Sequence, residues 1–185
     1  MRSFTSRQAC SAILIGTGVL AAAATALAAP SPPHRATITI RASVSFKPNQ
    51  YLQLNNRYVP GTVDIASGGT ITLNNTDSSE GHSLSLVKKS DVPRTANQVN
   101  NCNICNSIFQ AHGINPNGPP PSGPPPHPVV NVGAPGFNTP GDSILVGPKG
   151  RGHSKVSFKV TAKRGTTLYF ICIFHPWMQG KFVVQ

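Results

Sequence analysis

Tyr169-Phe170-Ile171-Cys172-Ile173-Phe174-His175-Pro176-Trp177-Met178-Gln179-Gly180-Lys181-Phe182-Val183-Val184-Gln185 ends the chain and decides how the rest is read. Aromatic and β-branched residues run into Cys172 and resume after Gly180, the composition of two strands joined by a tight loop. The loop sets a thiol, an imidazole and a thioether at three-residue intervals. Soft sulfur donors with imidazole suit copper, and a trigonal His₂Cys site with a long axial Met is an electron-transfer arrangement. Cys172, His175 and Met178 thus read as three ligands of one ion, and one more His has to come from elsewhere. A Cys at a strand end is often only a small buried hydrophobe. Against that reading, Met178 is the only methionine apart from Met1, and it falls beside the only Cys and His that share a loop.

At the other end, Arg2 and Arg7 precede an apolar run over residues 12–29 that closes on Ala26-Leu27-Ala28. A basic start, an apolar stretch and small residues at its end make a secretory signal. Residues 1–28 are expected to be the signal peptide and 29–185 the functional domain, exported or periplasmic. The run is about one bilayer thick, so the same residues could serve as an uncleaved membrane anchor. Cys10 belongs to this segment. The remainder of the chain is long enough for one domain with its own core.

Sixteen Lys and Arg against five Asp and Glu give a formal charge of +11. The basic residues are scattered, and no aromatic-interleaved basic motif is present, which argues against nucleic acid. An acidic partner or an anionic surface fits the charge. Few carboxylates also leave little to protonate in acid.

Ala36 to Phe46 alternates strictly, placing Ala36, Ile38, Ile40, Ala42, Val44 and Phe46 on one side of a half-buried strand. Further strands are expected around Tyr51–Leu54, residues 63–66 and 70–73, His82–Val87, Lys155–Val160, residues 166–172 and 181–184. No stretch shows convincing helical periodicity. Short strands with turn signals between them indicate an all-β antiparallel Greek-key sandwich or barrel. Residues 90–141 differ: they hold Cys102-Asn103-Ile104-Cys105 and two Pro triplets. Such a run favours extended conformation and is kept out of central sheet positions, so it reads as a long surface insertion. Its two cysteines could hold metal, exchange electrons or pair. Zinc would want a second such motif and a redox role a βαβ context, so a Cys102–Cys105 disulfide is expected.

The fourth ligand should come from a strand end near Cys172. His82 is the best candidate: it follows the polar turn Asn74–Gly81 and opens an alternating strand. His153 is its rival but precedes a strand that should run away from the site. His34, His112 and His127 are expected to be solvent-exposed.

With these residues assembled, the chain resembles the cupredoxins, the small blue copper electron carriers. The likeness rests on an Asn-x-Asp turn before Gly81-His82-Ser83-Leu84, and on Tyr169-x-x-Cys172-x-x-His175-Pro176-x-Met178-x-Gly180. The two-residue gaps on either side of His175 are similar to the amicyanin ligand loop. Ser83, Lys88-Lys89 and the length are similar to rusticyanin. The resemblance spans about residues 36–87 and 143–185 and does not cover the insertion. It implies a single type 1 copper held by His82, Cys172, His175 and Met178, shuttling electrons rather than catalysing a reaction. Ile171 and Ile173 stand where multicopper oxidases flank the site Cys with His, and Leu168 where a dinuclear centre needs a second Cys. The resemblance further implies that His175 meets the surface through an apolar patch of Phe174, Pro176 and Trp177. The implied partners are a cytochrome or a terminal oxidase. Two other functions compete: a copper storage or delivery protein, and a metal-free secreted β-domain.

Overall fold

The computed structural model describes residues 31–119, 123 and 125–185. The expected signal segment, with Cys10 and the run over residues 12–29, lies outside them. Ser31–Gln185 form one compact unit.

Two sheets face each other. One has the strand order β10-β6-β1-β4, from β1 (Arg35–Arg41), β4 (Arg57–Val59), β6 (Gly69–Asn75) and β10 (Lys155–Val160). The other has the order β5-β12-β11-β7-β9-β8, from β5 (Thr62–Ile65), β7 (His82–Val87), β8 (Val129–Val130), β9 (Ser143–Val146), β11 (Thr167–Ile171) and β12 (Gln179–Val184). Most pairs are antiparallel, while β1–β6 and β5–β12 run parallel. The chain crosses from one sheet to the other at Ala66–Gly68, where Gly68 adopts φ +79°. Alternation fills the space between the sheets: Ile38, Ile40, Ile71 and Leu73 from one layer meet Leu84, Leu86, Phe170 and Phe182 from the other.

The insertion does more than cover surface. Two helices, α1 (Ala96–Asn100) and α2 (Asn103–Ala111), stand where no helix was expected. Thr95 caps α1 by accepting from the Gln98 N–H at 3.2 Å, and Gln98 reaches back to the Arg94 N–H at 2.7 Å, close to a capping box. Cys102 and Cys105 form the expected disulfide at the head of α2. Ile104, Cys105, Ile108 and Phe109 lie along one helical stripe, and Cys105 and Ile108 bury it against Val87, Leu145, Ile171 and Ile173. These belong to or directly follow the second sheet, so that sheet is covered on both faces and β7 and β9 are buried at every residue. The far end of the insertion is pinned by Asp142, a buried carboxylate that accepts from the N–H groups of Val132, Asn138 and Thr139 at 2.8–2.9 Å. Val129 and Val130 join the sheet only as its edge, as a Pro-flanked segment must.

A second departure comes after Arg41. The alternation continues, but the partners do not: Ile40 already pairs with Asn75 at the end of β6, and Arg41 with Arg57 at the start of β4. The chain leaves the sheet and forms a separate hairpin of β2 (Val44–Lys47) and β3 (Tyr51–Leu54). Val44 and Phe46, expected on the buried side, are 63% and 70% exposed.

Candidate metal centre

Topology brings the ligand candidates to one end of the sandwich. β6 runs into the turn before His82, β7 opens on His82, β11 runs into Cys172, and β12 resumes just after Met178. The loop between β11 and β12 closes on itself: the Cys172 N–H donates to the Met178 carbonyl at 3.0 Å and the Met178 N–H to the His175 carbonyl at 2.7 Å. Gly180 is required beside it, because a Cβ there would run into the Phe170 ring.

Cys172 is fully buried and is the free cysteine among the described residues. Its Sγ lies 3.8 Å from His82 Nδ1 and 3.9 Å from His175 Nδ1, and the three donors fall within 4.8 Å of one another. Nitrogen and sulfur donors at about 2.0–2.3 Å from a shared ion stand about 3.5–4 Å apart in a trigonal plane, so the spacing fits. Met178 is buried in the same core cluster as Cys172. His153, the rival ligand, lies exposed in a turn at φ 52° and takes no part. The donor set fits one copper ion: soft thiolate, two imidazoles and a thioether beside them.

The surroundings complete the fit. Each imidazole presents Nδ1 to the sulfur and gives Nε2 to a carboxylate. His82 Nε2 lies 3.1 Å from Asp77 Oδ2, and His175 Nε2 lies 2.8 Å from Glu80 Oε2. Such partners fix tautomer and ring orientation at metal sites. Both acids sit on the turn that enters β7, and that turn is itself braced. Asn75 donates from Nδ2 to the carbonyls of Glu80 and Gly147 at 2.9 Å each and accepts from the Asp77 N–H at 2.9 Å. Burial works to raise the Asp77 carboxyl, yet hydrogen bonds from Ser79 and the contact with His82 outweigh it and hold the group low. Burial and the neighbouring His82 push the His175 imidazole down, against the pull of Glu80. Burial pushes the Cys172 thiol up despite the hydrogen bonds that reach it, among them the Ser83 N–H at 3.4 Å. A thiol held this way stays protonated until a bound cation would take the proton's place, the displaced proton leaving to solvent.

Sequence reading missed four contributors. Asp77 and Glu80 are two of only five acidic residues, and both precede His82 in the turn already singled out. Phe109 of α2 packs edge-on against Phe174, ring centres 5.1 Å apart, so the insertion reaches the ligand loop. His112, expected in solvent, is fully buried. Its Nε2 meets Ser143 Oγ at 2.8 Å and its Nδ1 meets the His127 carbonyl. Ser143 Oγ lies 2.6 Å from Ser85 Oγ, Ser85 lies 3.0 Å from Ser83 Oγ, and Ser83 Oγ accepts from the Ile173 N–H at 2.9 Å. A line of buried hydroxyls thus joins the insertion to the residue after Cys172. His34 and His127 are exposed as expected. Phe174 and Trp177 are 40% and 39% exposed around a His175 that is 7% exposed, while Pro176, expected in the same surface patch, is buried beneath them.

No protein-family model and no curated protein sequence matches the chain. Among solved structures it is similar to an auracyanin from Roseiflexus castenholzii, at 18% identity over 84% of this chain and 99% of that one, TM-score 0.44. It is also similar to a purple cupredoxin from Nitrosopumilus maritimus, at 17% identity over 81% and 99%, TM-score 0.39. Amicyanin from Paracoccus versutus aligns at 13% identity over 84% and 85%, TM-score 0.37.

Proposed function

We propose that this chain is an exported mononuclear copper protein of the cupredoxin type that carries single electrons between redox partners. The observation that carries the reading is the convergence of His82 Nδ1 and His175 Nδ1 on the buried Cys172 Sγ at 3.8 and 3.9 Å. Cys172, His82 and His175 would hold the ion, with Met178 as a further, weak donor. Bound copper would supply a Cu(I)/Cu(II) couple whose potential depends on the donor set and the surroundings of the sulfur.

The chain's own residues give that couple a fixed, dry setting. Asp77 and Glu80 lock both rings from behind. The backbone bonds between Cys172, His175 and Met178 hold the loop in one shape, so the donor positions need not rearrange when charge changes. Ser83 aims its N–H at the sulfur and withdraws charge from it. Ile173 and Pro176 keep water away, which disfavours the more highly charged ion and raises the potential. His175, with Trp177 stacked edge-on at 5.1 Å and Phe174 beside it, is the route by which an electron leaves through a small apolar contact. A cytochrome or a terminal oxidase is the proposed partner class, met through the weak, small interface typical of redox encounters.

Storage or delivery is the lesser reading, since such sites are open and rich in Met or His, whereas these donors are buried. Copper titration of the metal-free protein, followed by visible absorption and EPR, tests the proposal. An intense thiolate band and a reversible one-electron titration are expected. A colourless Cu(II) complex would sink the carrier reading, and absence of any copper binding would leave the metal-free β-domain.

A further inference from the structure

The hairpin that leaves the first sheet at Arg41 is two-faced. In its register Val44 pairs with Leu54 and Phe46 with Leu52, while Ser45 pairs with Gln53 and Lys47 with Tyr51. One face therefore carries four apolar side chains in two cross-strand pairs, exposed by 63%, 37%, 70% and 65% in the order Val44, Leu54, Phe46, Leu52. An isolated two-stranded hairpin is marginal in water, and an exposed apolar cluster on a protruding element marks a contact surface.

Charge narrows the occupant. Arg41 and Arg57 stand directly opposite each other at the hairpin's root, an arrangement that like charges disfavour. Lys47 lies near its tip, all three are exposed, and no Asp or Glu occurs anywhere between Arg35 and Val63. The ion pairs of the described residues involve only His82 and His175, leaving these three cations uncompensated. A second copy of the chain would bring like charges together. What suits the face is an anionic surface with an apolar interior. The element is a projecting ribbon, which a deformable bilayer accepts without a matching groove. Its tip pairs Lys47 with Tyr51, residue types that favour the membrane–water boundary.

We propose that the β2–β3 hairpin docks the protein on an anionic lipid bilayer, inserting Phe46 and Leu52 shallowly while Arg41, Lys47 and Arg57 meet lipid headgroups. The hairpin is rooted at the ends of β1 and β4 beside Asn75, the same end of the sandwich as His82 and Cys172. Docking there places the His175 surface close to the membrane plane, within reach of a membrane-embedded redox partner. That consequence rests on the copper reading; the docking itself does not.

The test uses the full chain without metal, so its outcome is separable from copper binding. Phe46→Trp in a Trp177→Phe background puts a single reporter on the apolar face. Vesicles of phosphatidylcholine with phosphatidylglycerol should shift its emission to the blue, and brominated lipid should quench it. Arg41→Gln, Lys47→Gln and Arg57→Gln together should weaken this signal roughly a hundredfold, and Leu52→Ser should weaken it with the charges intact. Emission that stays at its aqueous position on these vesicles overturns the proposal. So does an equal shift with polyglutamate, which points to an acidic protein, or a shift already present without lipid in a sample that sediments as a dimer.

Discussion

The ligand loop and the insertion approach the same sulfur from opposite kinds of sequence. Residues 169–180 are dense with chemistry: each potential donor has a rare side chain at a fixed interval, and backbone hydrogen bonds hold that interval in one shape. Residues 90–141 are Pro-rich, and none of their described residues joins the donor cluster. Yet the insertion covers the outer face of the second sheet, packs Phe109 on Phe174, and sends a buried histidine towards Ser83. The contrast teaches that a metal centre's ligands and its stiffness can come from separate parts of a chain.

The largest expected effect falls on the loop alone. Cys172→Ala should abolish the visible band and tight copper binding, while far-UV circular dichroism and the cooperative unfolding transition persist. Loss of the fold together with the metal would mean that the two regions cannot be separated in this way.

Ile108→Ala strikes the other side. Ile108 is buried between α2 and the sheet, and truncating such a side chain costs about 2–5 kcal/mol. Denaturant unfolding should show this loss, and the copper spectrum of the folded fraction should keep its band position with only modest change. A spectrum as damaged as that of Cys172→Ala would make the insertion part of the coordination itself.

Between these lie the two carboxylates. Asp77→Asn and Glu80→Gln each keep a hydrogen-bond acceptor but remove the charge behind an imidazole. Loss of a ligand's outer partner typically costs 10–100-fold in metal affinity, and competition with a chelator of known affinity reads this directly. Asp77 is the more enclosed of the pair, so its substitution should do more. Affinity unchanged in both would show that the turn positions the rings by packing alone.

How far the sequence can be read obeys the same division. The convergence of His82, Cys172 and His175, with Met178 buried in the same cluster, is legible because metal-ligand chemistry admits few side chains. Ile38, Ile40, Leu84 and Leu86 are legible because a strand's period is short and local. The helices escape a reading by periodicity although their signals are present: Thr95 and Gln98 form the cap, and Ile104, Cys105, Ile108 and Phe109 mark the stripe. Neighbouring prolines outweigh them. Phe46 fails for the opposite reason, since its alternation is regular but no strand or sheet remains to cover it. His112 and the serines of β7 cannot be placed locally at all. An alternating Ser face reads as solvent-facing until something 30 residues away is known to lie on it. Once it is covered, every hydroxyl has to find a partner, and the histidine supplies one.

That histidine gives the smallest and most specific effect. Nδ1 of His112 faces a carbonyl oxygen and must donate to it, so in the neutral ring Nε2 accepts from Ser143. Burial holds the imidazole below its ordinary value, outweighing the pull of the His127 carbonyl. A group with a lowered folded-state value leaves stability at its full level above the unfolded value of about 6.5. As pH falls below that, the unfolded chain takes up a proton that the folded one resists, and stability declines until the folded value is passed. Protonation also turns Nε2 into a donor, so Ser143 must direct its own proton towards Ser85, which itself donates to Ser83 beside the Cys172 sulfur. Unfolding free energy measured across pH 7 to 5 should therefore fall in the wild type and fall less in His112→Gln, whose amide can replace both contacts. The copper potential of the wild type should drift over the same interval and that of the variant should stay flatter. Identical pH slopes in both proteins would confine the insertion's contribution to packing, with no electrical link to the loop.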